Sequence, residues 1–338
     1  MNIKSLLLGS AAAMAVVSGA QAADAIVAAE PEPMEYVRVC DAFGKGYFYI
    51  PGTETCLKIG GYVRTQLNYK ENGYGVNKDG DIDAASRGYL TFAAKNDTEF
   101  GALSGYINIE ADAEGTTFLD GAWINIAGFD VGYFYNWFDD GINGETDELG
   151  SPKTLQNSIR YTYDGGAFTA GVSVDELSGS GSSFSNKWND KIGLGAKLGF
   201  TAGAVNGWVI GNYDFDADEA AFKGVLTAAL GPGSLQIGGV YATDPSYYWT
   251  ASQWTVAASY ELKATDKITI TPAAQYWGEA HIKDNGSFGG ADAWKVGVTG
   301  GYKITDGLRS LATVNYKKFE GNNGGDQWTG FLRLQRDF

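Results

Sequence analysis

From residue 56 to the end of the chain, apolar and polar side chains alternate with a period of two. In "LKIGGYVRTQLNY", Leu57, Ile59, Val63 and Leu67 fall on one face, while Lys58, Arg64, Gln66 and Asn68 fall on the other. The same split recurs in "ALSGYINIEA", in "KIGLGAKLGF" and in "AWKVGVTGGYK". Such alternation marks a strand with one apolar and one polar face. Sixteen segments carry it, beginning near residues 56, 86, 100, 117, 129, 156, 167, 190, 203, 220, 234, 251, 266, 292, 308 and 327. Most span about 9–13 residues, the length a tilted strand needs to cross a bilayer.

The connections alternate between long and short. Long ones are expected near 70–85, 138–155, 176–189, 214–219, 244–250, 278–291 and 320–326; the connection near 112–116 belongs to the long class by position but is short. Short turns at one rim and longer loops at the other predict an all-β, sixteen-stranded antiparallel transmembrane barrel. The apolar face is almost free of charge, as a lipid-facing surface must be when a mid-bilayer Lys or Arg costs about 2–4 kcal/mol. Trp254 and Tyr260, Trp294 and Tyr302, and Trp328 and Phe338 frame that face. A large soluble β-protein with an aromatic core is the competing reading, and consistent faces over sixteen segments count against it. Two residues fit poorly. Pro272 lies inside a strand, which calls for a bulge or a later start. Arg336 falls on the apolar face, near enough to the rim for its head to reach the interface.

Composition adds a compartment. "MNIKSLLLGSAAAMAVVSGAQA" has one early lysine, an apolar run and Ala20-Gln21-Ala22 at its end, which reads as a secretory signal over residues 1–22, too short in its apolar part to span a membrane. The formal net charge of −15 argues against nucleic acid as a partner. The two cysteines, Cys40 and Cys56, lie close together in an exported chain, which favours a disulfide over two free thiols. It would tether residues 23–55 to the periplasmic end of the barrel, 56–338. A zinc site would need more ligands than the single histidine, His281, supplies.

Candidate chemistry is sparse. "NWFDDGINGETDELG" carries Asp139, Asp140, Glu145, Asp147 and Glu148 and no base. It can be a solvated outward loop, an element facing a passage or, least well, a calcium site, since its glycines define no metal geometry. "KDGDIDA" has acids at alternate positions, Asp79, Asp81 and Asp83, but lacks the distal glutamate of a calcium loop, so a polar surface loop is the simpler reading. No nucleophile accompanies His281, and no phosphate-cradling loop or metal cluster is spelled out, so neither an enzyme nor a cofactor is expected.

The stretch "EPMEYVRVCDAFGKGYFYIPGTETCLKIGGYVR", Glu32 to Arg64, closely resembles the opening of the major outer-membrane porins of alphaproteobacteria, of the rhizobial and brucella type. The final strand ends on Phe338, similar to the C-terminal signal that outer-membrane barrels offer the barrel-assembly machinery. The resemblance implies a sixteen-stranded barrel in the bacterial outer membrane, among lipid and lipopolysaccharide. It also implies a homotrimer, passive diffusion of small hydrophilic solutes and ions, and a third long loop folded into the lumen. Residues 138–155 follow the fifth strand and take that place. Their five acids would then face basic side chains on polar-face positions: Arg64, Arg160 and Arg333 above all, with Lys197, Lys295 and Lys317. Opposed charge across a wet gap sets ion preference, and the acidic balance predicts a mild preference for cations. A substrate-selective channel, with Tyr62, Tyr89 and Tyr106 as an aromatic track, and a structural or adhesive barrel with a blocked lumen remain alternatives.

Overall fold

The computed structural model describes residues 37–71, 80–151, 153–177, 192–321 and 324–338. The expected leader, residues 1–22, lies outside these. The chain divides into two compact units, Met1–Arg38 and Val39–Phe338, and the second contains the strands.

Sixteen strands form one antiparallel wall: β1 Cys56–Glu71, β2 Gly80–Thr98, β3 Gly101–Asp112, β4 Thr117–Ile126, β5 Phe129–Tyr135, β6 Leu155–Asp164, β7 Phe168–Glu176, β8 Ile192–Ala202, β9 Val205–Asp214, β10 Glu219–Leu230, β11 Gly233–Ala242, β12 Trp254–Lys263, β13 Ile268–Gly278, β14 Ala293–Thr305, β15 Leu308–Phe319 and β16 Asp326–Asp337. Each pairs with its sequence neighbours, and β16 pairs with β1 from Thr329↔Lys70 to Asp337↔Tyr62, closing the barrel. At the seam Gly61 and Phe338 exchange backbone hydrogen bonds of 3.1 and 3.0 Å. Gly61 has φ 152°, and a Cβ there would collide with the Tyr89 carbonyl, so only glycine fits.

The burial pattern is inverted relative to a soluble protein. Val63 (58% exposed) and Ile237 (45%) face outward, while Gln156, Ser158, Thr255, Gln275 and Asn315 are buried inside. Lipid replaces water on the outside and a polar lumen replaces the core, so the period-two pattern is satisfied with its usual sense reversed. Outward aromatics touch across neighbouring strands: Trp254–Tyr276 at 5.5 Å, Trp294–Tyr316 at 5.3 Å and Tyr316–Trp328 at 5.0 Å. They make two groups over β12–β16, Trp254 with Tyr276 and Trp294 with Tyr316 and Trp328, and Tyr276 and Trp294 are register partners across β13 and β14.

Two local expectations are revised, and Arg336 takes the outward place near the rim that the sequence suggests. The second strand begins at Gly80, six residues before the sequence pattern suggests, so Asp81 and Asp83 of "KDGDIDA" lie on a strand rather than a loop. They pair in register with Lys70 and Asn68 of β1. The alternation continues through this hairpin, with Tyr69 and Ile82 paired and exposed on the outer face and Asp81 and Asp83 on the opposite parity. Asp79 lies outside the described residues. Pro272 needs neither a bulge nor a late start. Ser259↔Ala273 and Leu262↔Ile270 keep one register, and the ladder to β12 simply opens between them, where proline has no N–H to give. On its other side Pro272 stays paired with Val298. Arg336 lies on the outer face, and its guanidinium donates to the Gly307 carbonyl at 3.1 Å, in the turn between β14 and β15.

Cys40, ahead of β1, forms a disulfide with Cys56, the first residue of β1. Tyr47 sits between Lys58 and Lys95, 5.9 and 5.6 Å from its ring centroid, so cation–π contacts join this segment to β1 and β2.

Candidate channel constriction

The loop after β5, residues 136–154 (L3), is closed at its neck. Asn136 N–H donates to the Thr154 carbonyl at 2.6 Å, and Asn136 Nδ2 donates to Gln156 Oε1 at 3.0 Å. Lys223 of β10, only 2% exposed, donates from Nζ to the carbonyls of Phe138 (2.9 Å) and Leu149 (2.8 Å). It holds the two limbs together.

From this neck L3 crosses the barrel interior to the wall formed by β11–β16. Asn143 N–H donates to Gln236 Oε1 (2.5 Å), Glu145 N–H to Thr299 Oγ1 (2.9 Å) and Glu148 N–H to Gln275 Oε1 (2.6 Å). Asn315 Nδ2 donates to the Glu145 carbonyl at 3.3 Å. These wall side chains supply acceptors and donors that a loop away from bulk water otherwise lacks. Three lumen-facing glycines make room for the loop. A Cβ at Gly238 would meet Leu149 at 2.7 Å, one at Gly297 would meet Thr146 at 2.6 Å, and one at Gly171 would meet Trp137 at 2.7 Å. Phe138, Ile142 and Leu149 join one buried cluster with Val225 and Val240 of the wall.

The charges divide into two groups. Glu145 pairs with Arg333 at 3.0 Å. Glu148 pairs with Lys295 at 2.9 Å and Lys317 at 2.5 Å, and Asp140 lies 3.6 Å from Lys197. The remaining expected partners do not meet. Arg64 donates to Gln335 (2.8 Å) and lies over the Tyr62 ring, with no L3 acid in contact. Arg160 pairs with Asp130 on the adjacent strand at 3.0 Å and lies over the rings of Phe134 and, in L3, Trp137, so it meets L3 through an aromatic ring and not through an acid. Asp147 turns into its own loop and accepts the N–H groups of Ile142 (3.4 Å) and Leu149 (3.3 Å). Asp139 accepts from the Thr154 hydroxyl at 2.9 Å. A second wall group, absent from the sequence reading, joins Arg87 to Glu110 (2.8 Å) and Asp112 (2.8 Å).

Three L3 carboxyls lie away from their ordinary values, and not all in one direction: burial pushes Asp139 up, against the hydrogen bond from Thr154. Burial pushes Asp147 up, against the two N–H groups it accepts. Burial also pushes on Glu148, but Lys317 and Lys295 outweigh it and hold that carboxyl below the usual range. Among the described residues, no three His, Cys, Asp or Glu side chains come together in a way that could hold a metal ion.

Sequence reasoning missed Lys223, Gln236, Gln275 and the glycine notches. The available signal was positional: each sits on the lumen-facing parity of its strand, and Lys223 is the one charge in "AAFKGVLTAAL".

A closed sixteen-stranded barrel, apolar outside and polar inside, is the architecture of an outer-membrane channel protein. A family model described as "Porin subfamily" matches residues 24–332. Outer membrane protein IIIA of Rhizobium leguminosarum bv. viciae is 44% identical over 98% of this chain and 93% of its own length. Porin Omp2b of Brucella suis is 32% identical, covering all of both chains. Among solved structures, the outer membrane channel DcaP of Acinetobacter baumannii superposes with a TM-score of 0.68 at 14% identity, over 86% of this chain and 99% of that one. OmpT of Vibrio cholerae in its trimer form gives 0.61 at 12% identity, over 85% and 100%. The chain belongs to this porin family. It is a bacterial outer-membrane β-barrel of a class of channels, not of enzymes.

Proposed function

We propose that the protein forms a water-filled channel for passive diffusion of small hydrophilic solutes and ions, with L3 as its constriction and a mild preference for cations. The observation that carries this is the path of L3 from its Lys223 clamp to hydrogen bonds on β11, β13, β14 and β15. A loop fixed across the lumen narrows it without sealing it by hydrophobic collapse alone, because its far limb carries Asp140, Glu145 and Glu148 against Lys197, Arg333, Lys295 and Lys317. Charge pairs of this kind leave hydrated, oriented groups beside the passage. Liposomes holding the protein should swell in small sugars at rates that fall smoothly with sugar size. Absence of swelling from heat-modifiable, folded barrel would favour a blocked structural barrel.

A substrate-selective channel is the second reading. It is favoured by the cross-strand ring pairs Tyr62–Tyr89 at 5.0 Å and Tyr106–Trp123 at 4.6 Å. It would show saturable block by one solute, which simple diffusion does not. The assembly proposed is a homotrimer, in keeping with the trimer form of the OmpT structure. The loop between β3 and β4, 113–116, is too short to reach far over a neighbour, so the barrel walls must carry the contact. Sedimentation in mild detergent should give three copies, and a monomer would contradict it.

A further inference from the structure

The loop between β11 and β12, residues 243–253 (L6), is not a surface loop. It leaves the top of β11 and reaches along the inner wall to the top of β7. Tyr248 is 0% exposed, and its hydroxyl donates at 2.8 Å to Asp175 on β7, itself 1% exposed. Asp175 also accepts from Ser158 (2.7 Å) and Ser173 (3.2 Å), so the acceptor is held from three sides. One residue earlier, Tyr247 N–H donates at 2.8 Å to the buried Asp214 of β9. A Cβ at Gly193 would overlap the Tyr248 hydroxyl, so β8 is notched where the ring enters. The other side of the ring faces L3, with the Phe138 and Tyr248 ring centroids 6.0 Å apart. Tyr247, Tyr248, Trp249 and the apolar limb of L3 belong to one buried cluster.

Two inward loops therefore share a dry core on one side of the lumen. The neck of L3 is clamped by Lys223 from the wall and backed by Tyr248 from above. We infer that Tyr248 is a positioning residue for permeation: through Phe138 it holds L3 against the β7–β11 wall, and so fixes the size cut-off and the steadiness of the open channel. The inference rests on L3 being the constriction. It adds that the constriction is set by L6 as well as by the charges of L3.

A ring that only stabilised the barrel would change its thermal stability and leave permeation alone. A positioning ring changes permeation in folded protein. The test compares wild type, Tyr248→Ala and Tyr248→Phe, each verified as folded by heat-modifiable migration. Gly88→Ala serves as control, since a Cβ there meets nothing within 4 Å. Readouts are single-channel traces in planar bilayers and liposome swelling across a sugar size series. Tyr248→Ala should admit larger sugars than wild type and break the steady open level into flicker and substates. Tyr248→Phe keeps the ring on Phe138 and should restore the wild-type cut-off. Gly193→Ala, which evicts the ring without altering it, should reproduce the flicker. Steady wild-type traces and an unchanged cut-off in Tyr248→Ala would overturn the inference while leaving the channel reading intact. A silent wild type would instead overturn the channel reading itself.

Discussion

Glu148 ties L3 to the wall through its backbone and its side chain together. Its backbone N–H is fixed on Gln275 and its two oxygens on Lys295 and Lys317. Lys295 is nearly buried, so removing the carboxylate would leave its charge in a place where water compensates poorly. The consequence for pH has a definite sign. A carboxyl held below its usual value contributes fully above the ordinary glutamate range, about pH 4.3, and loses that contribution as pH falls through its lower folded value. Asp147 runs the other way: raised by burial, it takes up its proton earlier on acidification, but it faces its own loop rather than the passage. Cation preference should therefore persist on acidification until below about pH 4.3, read as reversal potential in a salt gradient. Glu148→Gln should remove that step and move preference toward anions at every pH. A wild-type titration centred well above that range, or a variant that titrates like wild type, would contradict the assignment. Parity along the strands alone puts Lys295, Lys317 and Arg333 on the polar face. It could not show that Arg64 and Arg160 find partners in the wall itself, because Gln335 and Asp130 lie on neighbouring strands whose register the sequence does not state.

L3 as an element is held by matched features of the wall rather than by its own sequence. Its apolar limb fills the notch at Gly238, and Lys223 donates to both limbs. Lys223→Met would leave two carbonyls without a charged donor, at roughly 1–3 kcal/mol each. Gly238→Val would drive a side chain into Leu149 and Ile142. Both should loosen L3 without opening the barrel, giving noisier, less steady open levels in single-channel records from protein with wild-type far-UV circular dichroism. Quiet traces from both variants would mean that L3 is held elsewhere. The strands themselves were legible, since lipid outside and water inside enforce a strict two-residue period. The inward folding of L3 was suggested by strand order and family resemblance, and that of L6 by neither. Loop paths depend on which wall residues are small, and a glycine on a strand carries no label saying which distant side chain will occupy it. The β1–β2 hairpin was misjudged for another reason. The alternation runs on from Ser86 back through Ala84 and Ile82, but the short acidic run Asp79, Asp81 and Asp83 reads first as a loop, while the pairing with β1 starts at Gly80.

Over the whole molecule, two surfaces of opposite character are drawn from one alternating sequence: an outer apolar band and an inner wall that seats charged and apolar loops side by side. Seam closure by Phe338 and Gly61 makes the last residue a structural member of the first strand. The central claim is that L3 stands in the permeation path and that its acids set ion preference. The most direct measurement is single-channel conductance and reversal potential of wild type against a variant with Asp139, Asp140, Glu145, Asp147 and Glu148 changed to their amides. Wild type should conduct steadily with a mild cation preference, and the amide variant should still conduct while its preference shifts to anions. A wild type that does not conduct, or a folded amide variant whose reversal potential matches wild type, would contradict the account.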